Sequence, residues 1–457
     1  MTTNNFICRA LAFAAAVSLV ASIAAAPARA QQASANMGPA FQSGTPGTFA
    51  IRNARIVTVS GPDIENGTIV VSQGRIAAVG ASVSVPGGAT VVDARGLTAY
   101  PGMIDLGTSM GLVEIPQGAT PTVDVSELGD LNPNVRAIDA VNPHSAHIAV
   151  TRVNGITTAL SSPTGGLISG QASLIHLLGA THREMAIQPA AALLINLPRA
   201  GGGFGGFLAL AQQQGGPADA AAQRDRQTDQ IRRMLRDAEA YARAVDAAAA
   251  DPRLPRVEPD VMLAPLVPYV RGQRPVIFRA DREREIRDAV RFAEEMKLKP
   301  IILGGTEAWK VASLLKEKNV PVIVDHVLSL PAREDDPYDL NYESPSRLHA
   351  AGVRFAITSG DTGANARDTP YHAGMAAAYG LPRAEALRSV TLYPAQIMGV
   401  GDQMGSIEVG KVANLVIADG DILEARTQIR DLFINGRRVP LVSRHTELYE
   451  MFRNRVK

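Results

Sequence analysis

Ala99-Tyr100-Pro101-Gly102-Met103-Ile104-Asp105 marks the point where the pattern of this 457-residue chain changes. Upstream, Ile51 to Val59, Thr68 to Ser72, Arg75 to Val79 and Ala89 to Val92 are short apolar stretches broken by glycine turns. They predict a small antiparallel sheet or sandwich. Downstream, Met103 to Leu106, Thr157 to Leu160, Ala191 to Leu197, Val276 to Phe278, Ile301 to Leu303, Val322 to Val324 and Phe355 to Ile357 read as buried strands. Helical stretches such as Arg284 to Met296 and Ala308 to Glu317 lie between them. This α/β alternation implies a parallel sheet, either a closed barrel or an open doubly wound fold. After Gly405 the short-strand style returns and includes Asn435-Gly436, a strong hairpin signal. The two sheet-like ends are expected to form one small domain, with the α/β domain inserted between them.

The chain has 45 basic and 44 acidic residues, and 46% of it is hydrophobic, which argues for a globular protein and against a polyanionic partner such as nucleic acid. The single cysteine, Cys8, excludes intramolecular disulfides and zinc ribbons. Residues 1–30 read as a secretory signal peptide: Arg9, an apolar run from Leu11 to Ala26, then Ala28-Arg29-Ala30. Cleavage after Ala30 implies a periplasmic or secreted protein, and no later segment reads as a membrane span. Residues 31–48 read as a linker, 49–98 and 405–442 as the two parts of the small domain, and 99–404 as the α/β domain. Residues 201–216 form a glycine- and glutamine-rich insertion ahead of a helix from about Ala218 to Ala250, and 443–457 a tail.

Four stretches carry a family resemblance. Ala99 to Asp105 is similar to the entry into the first barrel strand of the amidohydrolase superfamily, near its imidazolonepropionase-like and prolidase-like secreted members. Asn154-Gly155-Ile156-Thr157-Thr158, with Gly165-Gly166 to Gly170-Gln171, resembles the second strand and loop. Ala386-Leu387-Arg388-Ser389-Val390-Thr391-Leu392-Tyr393-Pro394-Ala395 is like the late helix, and Gly405 to Val416 resembles the return to the small sheet. The resemblance implies a TIM-like (β/α) barrel with a β-sandwich built from both chain ends. It also implies a hydrolase of carbon–nitrogen, non-peptide bonds that takes a small amide-type molecule.

The resemblance further implies zinc or another divalent metal, which lowers the pKa of bound water and polarises a carbonyl. Here the sequence departs from the family. The His-x-His positions of the first strand are Gly107 and Ser109; Arg279 and Asp281 stand at two further histidine positions, and a fifth falls on Gly304. A fixed guanidinium repels a divalent cation. The family aspartate falls on Gly360 or, shifted by one residue, on Asp361. Asp361 is therefore the candidate base and a weak candidate metal ligand.

Asp325 and His326 follow a strand, where this fold places catalytic groups. His326 is thus a candidate catalytic residue and a second weak ligand candidate. Arg279 and Asp281 read either as a substrate clamp or as an internal salt bridge filling the space of missing metals. Ser109 and His372 are candidate substrate contacts. His144 and His147 form an H-x-x-H that would share a face on a helix, and are weak metal candidates. Two readings stay open: a carbon–nitrogen hydrolase, or an inactive ligand-binding barrel. The second includes a subunit paired with an active relative; a homo-oligomer is a separate partner expectation.

Overall fold

The computed structural model describes residues 44–115, 122–198, 217–331, 333–360 and 363–455. The expected signal segment, the linker up to residue 43 and the insertion at 201–216 lie outside them. The first part of the chain supplies β1 (Phe49–Ile56), β2 (Ile64–Ser72), β3 (Arg75–Gly80), β4 (Thr90–Asp93) and β5 (Thr98–Pro101). The middle supplies β6 (Met103–Thr108), β7 (Ile156–Ser161), β8 (Ile168–His176), β9 (Ala186–Ile195), β10 (Pro275–Ala280), β11 (Lys299–Gly304), β12 (Val322–Val324) and β13 (Phe355–Ile357). The return supplies β14 (Leu415–Ala418), β15 (Ile429–Ile434) and β16 (Arg437–Val439).

The end segments make one mixed sheet in the order β16-β15-β14-β5-β1-β2-β3, with β4 also on β1. Within β1, Asn53 adopts φ 61° and the pairing register shifts around it. Residues before it pair with β4 and residues after it with β5. Asparagine tolerates this left-handed conformation better than most residues. The kink therefore lets one strand serve two neighbours and bends the sheet around its own core of Ile51, Ile69, Leu415 and Phe433. Asn435 and Gly436 both have positive φ and join β15 to β16, as the hairpin signal predicted. Thr45 already bridges to Arg438, so the sheet engages chain inside the expected linker.

The middle strands form a second sheet in the order β13-β12-β11-β10-β9-β8-β7-β6, nearly closed into a barrel. Alternate residues divide between two layers, as the strand period requires. Ile104, Leu160, Leu194, Ile277, Leu303, Ile323 and Ala356 pack together in one cluster. Met103, Ala159, Ile195, Phe278, Ile302, Val324 and Ile357 pack in another with the helices, among them Glu283–Glu295. The expectation of a wholly parallel sheet needs one correction, because β8 runs antiparallel to both β7 and β9. Only residues 162–167 separate β7 from β8, and only 177–185 separate β8 from β9. A parallel crossover needs a dozen or more residues, so both connections must be hairpins. Gly165 and Gly166, both at positive φ, make the first turn, and the stretch expected to be a loop as far as Gln171 is strand from Ile168 onward.

His176 ends β8 buried, and its Nδ1 has no hydrogen-bond partner among the described residues. Burial pushes its imidazole down to about 4. The unfolded chain takes up a proton near pH 6.5 that the folded chain refuses, so stability falls as pH drops from about 6.5 towards 4. The loss reaches on the order of 3 kcal/mol. His176→Leu is expected to remove this component from urea-unfolding curves compared at pH 7 and pH 4. An identical pH slope in the variant would contradict it.

Candidate active site

Asp105 lies in β6 among apolar neighbours and is completely buried. Its carboxylate is surrounded by donors. The Gly107 N–H reaches Oδ1 at 2.9 Å, and the Thr358 hydroxyl donates to the same oxygen. The Ser359 hydroxyl reaches Oδ2 at 2.8 Å, the Ser359 N–H at 3.4 Å, and the Thr369 hydroxyl also donates there. Thr358 and Ser359 directly follow β13, and Thr369 opens the helix Thr369–Ala378. One carboxylate thus ties the first barrel strand to the last, across the seam where no ladder joins them. In the sequence, Asp105 stands out only as part of the Ala99 to Asp105 word. An acid inside Met103-Ile104-Asp105-Leu106 was the signal available, because a buried carboxylate requires partners.

The positions that the resemblance assigns to metal ligands are filled by structure. A Cβ on Gly107 would stand 2.7 Å from Thr358 Cγ2 and 2.8 Å from Thr358 Oγ1. A Cβ on Gly304 would collide with the Asp281 carboxylate, and one on Gly360 would lie 2.7 Å from the Asp325 carbonyl oxygen. Among the described residues, no group of three or more His, Cys, Asp or Glu side chains is arranged to hold a metal ion. Asp361 lies outside the described residues.

A cavity of about 530 Å³ opens at the C-terminal end of the barrel strands. Gly107, Thr108 and Ser109 form one wall, the 162–167 turn another, and Arg279 and Leu303 a third. Ser109 and Arg279 are thus brought to one cavity. Asp281 points away into the Gly304 turn, near the Thr306 hydroxyl. Arg279 pairs with Asp325 at 3.2 Å, so among the described residues an ion-pair partner is the acid after β12 rather than the expected Asp281.

Burial alone would push the Asp325 carboxyl up. Contact with His326 and the charge of Arg279 outweigh that and hold it below the usual carboxylate range. His326 is buried, with Nδ1 3.1 Å from the Gly304 carbonyl oxygen and 3.7 Å from Asp325 Oδ1. A carbonyl oxygen only accepts, so Nδ1 carries the hydrogen. His372 is buried in the helix Thr369–Ala378. Burial pushes its imidazole down, against the pull of Asp105, Asp368 and Asp325, while His326 adds to the lowering. The H-x-x-H does not share a helical face. The helix Ala146–Arg152 is capped by Ser145, which leaves His144 outside it and exposed. His147 Nε2 is 3.0 Å from the Glu114 carbonyl oxygen.

The whole architecture resembles a solved amidohydrolase from Thermotoga maritima MSB8, with a TM-score of 0.76 at 26% identity over 86% of this chain and 99% of that one. This likeness supports the amidohydrolase superfamily as the one this chain resembles. The family described as Amidohydrolase family matches residues 280–439. The amidohydrolase tasK of Hapsidospora irregularis is 24% identical over 404 residues, 81% of this chain. The chain spans 39% of that relative's length. A prolidase solved with N-methylphosphonate-L-proline shares the fold, with a TM-score of 0.53 at 17% identity over 86% of this chain and 99% of that one. In this chain Thr358 is packed where a side chain at position 107 would project. Gly107→Ala is therefore expected to cost about 1–3 kcal/mol in unfolding free energy, and less in a Thr358→Ser background that removes the Cγ2 contact. Equal costs in the two backgrounds, measured as a double-mutant cycle, would refute this packing account.

Proposed function

We propose that this amidohydrolase-superfamily barrel binds a small amide-type molecule at its mouth, without metal-assisted cleavage at the positions that superfamily metals use. The observation that carries this reading is the replacement of ligand space by packing. Thr358 occupies the place of a Gly107 side chain, Asp281 that of a Gly304 side chain, and Arg279 puts a cation at a third position. These residues do not fit a divalent ion, because a guanidinium repels it and a carboxylate as heavily hydrogen-bonded as Asp105 has little left to offer. The cavity beside them keeps hydroxyls, apolar side chains and one guanidinium, a combination suited to a small molecule with an apolar body and an oxygen acceptor.

The leader-like first thirty residues support export to the periplasm or the secreted space. No helix among the described residues is long and apolar enough to cross a membrane. Pairing with an active relative, or with a second copy, is the accompanying quaternary proposal.

One observation favours a second reading, hydrolysis of a carbon–nitrogen bond without that metal site. His326 has its Nδ1 hydrogen committed to Gly304 and a carboxylate at 3.7 Å, the orientation of a general base. In that reading Nε2 takes a proton from water, the hydroxide adds to the carbonyl carbon, and the C–N bond breaks. The leaving nitrogen then recovers the proton from the imidazolium.

Elemental analysis after dialysis against trace zinc tests the first reading. The expected result is well below one metal per chain, with calorimetric binding of N-acyl amino acids unchanged by chelator. Near-stoichiometric metal whose removal abolishes binding overturns it. For the second reading, amine release from an amide panel is the measurement, and His326→Gln is expected to lower it at least about 100-fold. Release that persists in the variant removes His326 from the chemistry.

A further inference from the structure

The opposite end of the barrel, where the strands begin, holds a second cleft of about 770 Å³. Lys299 opens β11, and Arg274 and Arg354 stand immediately before β10 and β13. Lys318 precedes β12 on the same side. All four line the cleft, so four consecutive strands each bring a cation to it. No acidic side chain is among its described lining residues. Lys318 is matched by Glu294 at 2.6 Å and Glu317 at 3.5 Å. Arg274, Lys299 and Arg354 are exposed, and no ion pair holds them among the described residues. The chain is nearly neutral overall, with 45 basic and 44 acidic residues, so this clustering is local.

Neighbouring strands lie about 4.8 Å apart, so charges at adjacent strand entries stand close together. The ladders keep these entries level: Pro275 pairs with Lys299, and Val322 with Phe355. Like charges on adjacent strands repel. An anion between them relieves that repulsion and accepts charge-assisted hydrogen bonds from guanidinium and ammonium groups. The floor of the cleft is apolar. Ile187, Ile301 and Met398 line it together with the rings of Pro275, Pro300 and Pro321. Proline is tolerated where a strand begins, and its ring offers apolar surface with no backbone donor. Gln273, Asn319 and Gln396 add side-chain amides that can donate to an anion. A ligand complementary to both parts has negative groups at its edge and a flat apolar body.

We propose that the strand-entry end of the barrel is a second binding site, for a small molecule that carries two or more negative charges on a flat apolar body. Arg274, Lys299 and Arg354 hold the charges, and the proline-lined floor takes the body. The site stands apart from the mouth, because the two cavities share no lining residue.

The test is calorimetry with naphthalene-2,6-disulfonate as the probe. Naphthalene-2-sulfonate keeps the rings and one charge, and sulfate keeps the charge without the rings. Wild type is expected to bind the disulfonate about tenfold more tightly than either comparison probe. The double variant Lys299→Gln/Arg354→Gln is expected to weaken that binding about tenfold or more. Arg52→Gln, which removes an exposed cation from the small sheet, is expected to leave it unchanged. Thermal midpoints report whether each variant folds. In wild type, the Met398 methyl resonance is expected to move under the ring current of the bound naphthalene, while the methyls of Leu303 at the mouth stay in place. That readout depends on no variant. Absence of disulfonate binding overturns the site. A monosulfonate or sulfate that binds as tightly overturns the joining of paired charges to an apolar floor. Binding that survives in the folded double variant, or that falls equally in Arg52→Gln, overturns the assignment to these cations. Shifts at Leu303 in place of Met398 overturn the location.

Discussion

The Asp105 carboxylate is the constraint on which the barrel depends. A sheet that curls towards closure must join its first strand to its last, and here no backbone ladder does so. A buried acid does it, by accepting from two hydroxyls and an amide just after β13, from a hydroxyl on the following helix, and from its own strand. Carboxylates accept charge-assisted hydrogen bonds, and several directed at one group offset the cost of taking the charge out of water. The same arrangement fixes Thr358 against Gly107, so the closing of the seam and the loss of a first-strand side chain are one event.

That coupling explains the chemistry left at the mouth. Glycines at 107, 304 and 360 are each backed by a neighbour that uses the space a side chain would need. Arg279 is held by Asp325, and Asp325 stands next to His326. Among the described residues, the groups that line the mouth include hydroxyls and a guanidinium, which recognise by hydrogen bonding.

Much of this was legible in the sequence, for identifiable reasons. The apolar runs at Val276, Ile301, Val322 and Phe355 became strands because buried parallel strands are apolar on both faces. Asn435-Gly436 became a turn because few other residues accept its backbone angles. Asp325 and His326 fell at a strand end, where the alternation placed them. The reversal of β8 was less visible, since Ser169, Gln171, Ser173 and His176 break up its apolar residues and only the short connections betray its direction. The partner of Arg279 could not be read, because adjacency across a barrel brings β10 and the end of β12 together while sequence spacing favoured Asp281. The H-x-x-H pair failed as a shared face because Ser145 caps the helix between the two histidines.

The reversed strand has a consequence for how such a barrel is assembled. A parallel crossover must close a long loop before its strands gain any ladder, and the entropy of that closure grows with loop length. β7, β8 and β9 need only two short turns to form a three-stranded meander. The barrel therefore contains a patch of low contact order, a local template that can form early and on whose edges the slower, long-range strands can add.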